Sequence, residues 1–176
     1  IHFIVLILYI KQWNIKIIVQ NIVQKTLATT TADVLHTTPY RSFPSGITAT
    51  ASKRHEYIRW SNKGARFIIE SDYGSEFSVS SQPMETLFSL SEHDNVIYLN
   101  TFSKTISPSM RIGYMVLPQQ LVKPFQEKLG FYSCTVPSFE QYVLTELLNN
   151  GDFERHINRV RRNMRRELAN SSLILT

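Results

Sequence analysis

Val96-Ile97-Tyr98-Leu99-Asn100-Thr101-Phe102-Ser103-Lys104-Thr105 is the stretch that decides the fold. Its first half is a continuous apolar run, and its second half sets small hydroxyl residues around one lysine. Arg111 follows, and Ile112 to Leu117 forms a further apolar run. Phe67–Ile69 is another such run upstream. Continuous apolar runs, as opposed to alternating ones, mark strands buried on both faces of a mainly parallel sheet. With helix-forming segments between the runs, the pattern predicts an α/β fold.

A lysine at the end of a buried strand, once partly desolvated, is a nucleophile for carbonyl carbon. Thr101, Ser103 and Arg111 surround it with hydroxyl and guanidinium donors suited to a phosphate. An imine-forming amine beside a phosphate pocket is the arrangement that pyridoxal 5'-phosphate needs. The second candidate site is Phe67-Ile68-Ile69-Glu70-Ser71-Asp72-Tyr73-Gly74-Ser75-Glu76-Phe77, where a strand runs into acids, a tyrosine and a glycine. Parallel sheets bind ligands at the carboxyl ends of their strands, so the two segments are expected to meet at one pocket. An aspartate there suits a pyridine nitrogen, and a tyrosine suits a ring hydroxyl. Taken singly, each segment also reads as an ordinary solvated loop; their order along the chain favours the shared site.

Several motifs together resemble a known family. Thr38-Pro39, Phe43-Pro44-Ser45-Gly46, the Ile68–Phe77 block, Asn100-Thr101-Phe102-Ser103-Lys104 and Arg111-Ile112-Gly113-Tyr114 are similar to the aminotransferase-like domain of GntR-type regulators of the MocR subfamily. Phe131 to Pro137, Phe139 to Tyr142 and Gly151 to Arg159 extend the likeness, which covers roughly Val34 to Glu167. The resemblance implies the central part of a fold-type I pyridoxal-phosphate-dependent transferase large domain, plus the helices leading to the small domain. It implies that Lys104 carries the internal aldimine and Tyr73 contacts the ring oxygen. Arg111 then binds the phosphate, with Thr101 or Ser103 assisting. It further implies an amino acid or amine effector, a homodimer, and DNA contact only through a winged helix-turn-helix absent from this chain. An active class I/II aminotransferase is the alternative within the same resemblance.

One position departs from the family pattern. Two aspartates usually precede the aromatic residue, and the first holds the pyridine nitrogen. Ser71 stands at that first position here and Asp72 at the second. Neighbouring side chains on an extended segment point to opposite faces, so Asp72 replaces the missing acid only if the backbone slips. Gly74 also stands where another acid is usual. Such a site keeps cofactor binding more easily than catalysis.

The 176 residues allow one ordinary domain, and 43% hydrophobic with 19% charged residues is a globular composition. Because the chain starts at Ile1 and the family's module is much longer, a fragment is expected. Residues 34–122 are assigned to the cofactor-binding large domain and 123–176 to connecting helices and the start of the small domain. Residues 1–33 receive no fold assignment. The apolar run Ile1–Ile10 is shorter than the ~20 residues that cross a bilayer and lacks a signal peptide's positive start. A single cysteine, Cys134, excludes an internal disulfide and fits a reducing cytoplasm. The histidines show no metal-ligand spacing.

Along the rest of the chain, Ala51–Trp60 predicts a helix. Gln119–Phe131 predicts another, with Pro124 near its first turn. Ser138 with Gln141 predicts a capping box for a helix ending at Asn150-Gly151. A last helix from Asp152 to about Leu168 has Phe153, Ile157, Val160 and Met164 at helical spacing. It carries Arg155, Arg159, Arg161, Arg162, Arg165 and Arg166. These arginines read either as a solvated face or as a nucleic-acid patch, a separate functional class. A third class, a hydrolase, rests on a faint echo of S-x-x-K in Thr101-Phe102-Ser103-Lys104, with threonine in the nucleophile's place.

Overall fold

A computed structural model of the protein describes residues 17–19, 24–42, 45–78 and 84–174. The apolar run Ile1–Ile10 and the Phe43-Pro44 pair lie outside the described residues. Five strands form one sheet in the order β1-β2-β3-β4-β5: Ile17–Val19, Val34–Thr37, Phe67–Ser71, Val96–Thr101 and Gly113–Val116. The first four run parallel and β5 is antiparallel to β4. Helices α1 (Gln24–Thr29), α2 (Ala51–Asn62), α3 (Leu87–Leu90) and α4 (Phe102–Thr105) lie between strands. Helices α5 (Gln119–Leu129), α6 (Ser138–Asn149) and α7 (Asp152–Ile174) follow β5. Thus β1 and α1 belong to the segment to which the sequence assigns no fold, and the boundary at 122 falls inside α5.

Alternation along β3 sorts its residues onto two faces. Ile68 faces the main core with Leu35, Val96, Leu87 and the α2 residues Tyr57, Ile58 and Trp60. Ile69 faces a smaller cluster with Val34 and Leu99, bordered by the partly buried Phe67, Ile97 and Met115. Burial on both faces, expected from the apolar runs, is therefore deep on one side and shallower on the other. Thr50 caps α2, its hydroxyl accepting from Lys53 N at 3.3 Å. Such a cap contributes about 1 kcal/mol.

Strands β3 and β4 each run two residues beyond their apolar stretches, because the ladder continues through Glu70-Ser71 and Asn100-Thr101. Further along, Pro124 is the sixth residue of α5, past the first turn, and so removes one intrahelical bond. The capping box at Ser138 does not form. Ser138 is already helical behind Pro137, and the Gln141 side chain donates to Val136 O at 2.9 Å. Gly151, at φ 75°, makes the stop between α6 and α7, a conformation glycine adopts without strain. Helix α7 extends past the expected end near Leu168 to Ile174.

Candidate cofactor site

Strands β2, β3 and β4 end side by side, so Thr37, Ser71 and Thr101 share one sheet edge. Open α/β sheets receive their ligands outside such carboxyl ends.

After β3 the chain turns around Asp72. Its Oδ1 accepts from the backbone N–H groups of Gly74, at 3.2 Å, and Ser75, at 2.9 Å. Its Oδ2 accepts from the Ser75 hydroxyl and, at 2.9 Å, from the Tyr98 hydroxyl. Gly74 takes φ 143° in this turn, which a side chain rarely tolerates. Asp72 is buried and lies on the Glu70 side of β3; both its oxygens are spent on the turn. The backbone has not slipped: Ser71 and Asp72 point to opposite faces of β3.

Ser71 lies on the opposite side. His36 Nε2, on β2, is 2.8 Å from Ser71 Oγ, and Ser71 is also hydrogen-bonded to the Tyr73 hydroxyl. Burial lowers the pKa of His36 and raises that of Tyr73, the latter opposed by the Ser71 bond. His36, Ser71 and Tyr73 thus form a side-chain chain at the strand ends, and it holds no carboxylate.

After β4 the chain does not enter an open loop but a single helical turn, α4, with Lys104 on it. Thr101 caps the turn: its Oγ1 accepts from Ser103 N at 3.2 Å and donates to Ile112 O at 3.0 Å. Ser103 Oγ donates to Met110 O at 2.6 Å, and Phe102 N donates to Ile112 O at 2.9 Å. These bonds close the 102–112 segment and hold Arg111, between Met110 and Ile112, beside the Lys104 turn. Arg111 is exposed and makes no ion pair among the described residues. Lys104 is also exposed, so the desolvation expected of a strand-end lysine is not supplied here. Its Nζ lies over the Tyr73 ring, 6.0 Å from the centroid.

The structure therefore brings Lys104 to Tyr73, and the Ser103–Met110 bond closes the segment that carries Arg111. The fold commits the single protons of Thr101 and Ser103 to backbone carbonyls, whereas the Arg111 guanidinium makes no ion pair among the described residues. The donor chemistry fits pyridoxal 5'-phosphate: an open amine, a neighbouring phenol and, on the same edge, a guanidinium with no ion pair among the described residues. His36 is absent from the sequence-based set, because nothing along the chain links it to Ser71. A part-buried polar cluster behind the turn is likewise new. Asn100 Nδ2 donates to Tyr98 at 2.9 Å and to Glu76 Oε1 at 3.2 Å. Burial raises the pKa values of Glu76, Tyr98 and Tyr114.

The other functional classes find less support. The Thr101 hydroxyl donates to a carbonyl and not to a base, which removes the echo of a hydrolase nucleophile. Two of the α7 arginines are engaged within the chain: Arg155 with Asp152 at 2.7 Å, and Arg161 with Glu76 O. Among the described residues there is no group of side chains fit to hold a metal ion. No described helix is long and apolar enough to cross a membrane.

This fold and edge are those of the aminotransferase class I and II family, whose sequence pattern matches residues 7–174; the chain belongs to that family. It is similar to the HTH-type transcriptional regulator YdeL of Bacillus subtilis, 39% identical over 137 residues, or 78% of this chain and 30% of the relative. It is also similar to the probable rhizopine catabolism regulatory protein MocR of Rhizobium meliloti, 30% identical over 129 residues, or 73% of this chain and 26% of the relative. The expected likeness to regulators of this type is thereby met, and the chain spans about 30% of the length of the first such relatives. Among solved structures, the kynurenine aminotransferase of Pyrococcus horikoshii, in complex with PMP, superposes with TM-score 0.67 at 29% identity. That match covers 74% of this chain and 32% of the other. LysN, the alpha-aminoadipate aminotransferase of Thermus thermophilus, complexed with N-(5'-phosphopyridoxyl)-L-leucine, gives TM-score 0.67 at 28% identity over 78% and 36%.

Proposed function

We propose that this chain is the pyridoxal-phosphate-binding part of an aminotransferase-like module that senses an amino acid or amine for a transcription regulator of the MocR type. The observation that carries this reading is Lys104 Nζ lying over the Tyr73 ring at the shared strand ends, with Arg111 held one loop closure away. When bound, the cofactor supplies an aldehyde that condenses with amines and a ring that withdraws electrons. Lys104 offers the amine that carries it. Tyr73 offers a hydroxyl to its ring oxygen, and Arg111 offers two parallel N–H donors to its phosphate. Thr101 and Ser103 act through the backbone, by closing the segment that positions Lys104 and Arg111. Asp72 acts through the turn that presents Tyr73.

Sensing, more than turnover, is supported by the neutral Ser71–His36 pair at the end of β3, on the reading that position 71 faces the ring nitrogen. Neither side chain of that pair would supply the negative charge that keeps a ring nitrogen protonated. DNA contact belongs to a helix-turn-helix elsewhere in such a regulator, and the parent is read as a cytoplasmic homodimer. The alternative is an active aminotransferase, the activity named for the similar solved structures. The test is to add pyridoxal phosphate to the protein, reduce with borohydride and map the modified peptide. Label on Lys104, lost in Lys104→Ala, is the expected result; label elsewhere, or undiminished in the variant, overturns the reading.

A further inference from the structure

Helix α7 touches both loops that carry the candidate site. His156 Nε2 lies 2.8 Å from Thr105 O, the carbonyl next to Lys104; a carbonyl only accepts, so the histidine donates. One turn and a half further on, Arg161 Nε donates to Glu76 O in the turn that follows Tyr73. Between these bonds Ile157 is 6% exposed, and at the start of the helix Phe153 packs edge-on against Phe102, with ring centroids 5.9 Å apart. No contact of this kind is legible in the sequence, because the partners are 51 and 85 residues apart.

The turn that bears Lys104 needs outside support. Helix α4 has only four residues, too few to stabilise themselves as a helix. Its last carbonyls lack intrahelical partners; Phe102 O is met by Ile106 N, and Thr105 O by His156. The opposing loop is anchored comparably through Glu76, whose Oε1 is bound by Asn100 and whose carbonyl is bound by Arg161.

We propose that α7 is a clasp that sets the spacing of Lys104 and Tyr73, with His156 and Arg161 as positioning residues. Neither needs to touch the cofactor; each fixes a backbone carbonyl one to three residues from a group that does. In this arrangement a shift of α7 alters how readily Lys104 captures the cofactor, and capture in turn biases the position of α7.

This inference rests on the proposed cofactor reading, and its test separates the two. His156→Gln keeps an N–H donor of similar reach, whereas His156→Leu keeps the bulk and loses the donor. With each protein, the rate at which added pyridoxal phosphate becomes borohydride-trappable on Lys104 is followed beside the thermal unfolding midpoint. The expected result is a rate within about twofold of the parent for Gln and about tenfold slower for Leu, the worth of one ordinary hydrogen bond. Arg161→Gln, which swaps a bonded side chain for a shorter one on the other loop, is expected to slow capture similarly and to serve if His156→Leu does not fold. Equal rates across folded variants, or slowing that tracks the unfolding midpoint alone, overturn the clasp. No trapping on Lys104 in the parent overturns the cofactor reading instead.

Discussion

His36 Nε2 and Ser71 Oγ stand 2.8 Å apart and add a side-chain contact to the backbone ladder that joins β2 and β3. Burial holds the His36 ring below its ordinary pKa of 6.5, so the pair is uncharged at neutral pH. Neither side chain of this contact brings a negative charge to the end of β3.

Ser71→Asp is therefore expected to raise the His36 pKa, through the new opposite charge, and to speed amino-acid turnover by the loaded protein. A charge-assisted hydrogen bond exceeds a neutral one by about 1 kcal/mol, so the gain should be roughly fivefold to tenfold, with little change in cofactor affinity. Proton NMR titration of the imidazole and a turnover assay check the two halves separately. Unchanged turnover with a raised His36 pKa means that position 71 does not face the ring nitrogen.

Arg111→Lys tests the phosphate anchor. A guanidinium offers two parallel donors that an ammonium cannot, and Arg111 has no competing ion pair among the described residues. Cofactor affinity should fall about tenfold, with the absorption band of the bound fraction unchanged. Spectrophotometric titration measures both; equal affinities show that other groups hold the phosphate.

For Asp72→Ala the expected loss is one of stability. Four donors converge on this buried carboxylate, among them the Tyr98 hydroxyl and Ser75 N. Leaving several of them unmet should cost about 2–4 kcal/mol in denaturant unfolding. Lys104→Ala, at an exposed position, should cost less than about 0.5 kcal/mol.

Glu70 makes stability depend on pH. Burial raises its pKa to about 7 from 4.5, although it accepts 2.9 Å bonds from Leu87 N and Phe88 N, and Arg54 and Asp72 act on it in opposite directions. Between about 4.5 and 7 the folded protein keeps a proton that the unfolded chain has released, so this group makes stability fall as pH rises through that range. The full swing is of order 3 kcal/mol. His36, with its lowered pKa, acts with the opposite sign below 6.5, so the parent is compared with Glu70→Gln across pH. The variant is expected to lose the downward slope; identical pH profiles exclude Glu70 as its source.

The sequence by itself made three of the five strands and the candidate site residues legible. Apolar runs at Phe67–Ile69, Val96–Leu99 and Ile112–Leu117 leave few ways to bury a strand on two faces, and they fixed where Lys104, Tyr73 and Arg111 stand along the chain. It also fixed that Ser71 and Asp72 point apart, because extended backbone alternates. Tertiary structure alone decided what each side chain does there. The ladder extends two residues beyond the apolar runs, so Lys104 rides on a helical turn and stays exposed. Asp72 is consumed by its own turn. His36 meets Ser71, and α7 reaches both loops, through bonds spanning 35 to 85 residues of chain. Local pattern governs burial and strand direction; hydrogen bonds between side chains brought together by strand pairing and helix docking leave no periodic trace in the sequence.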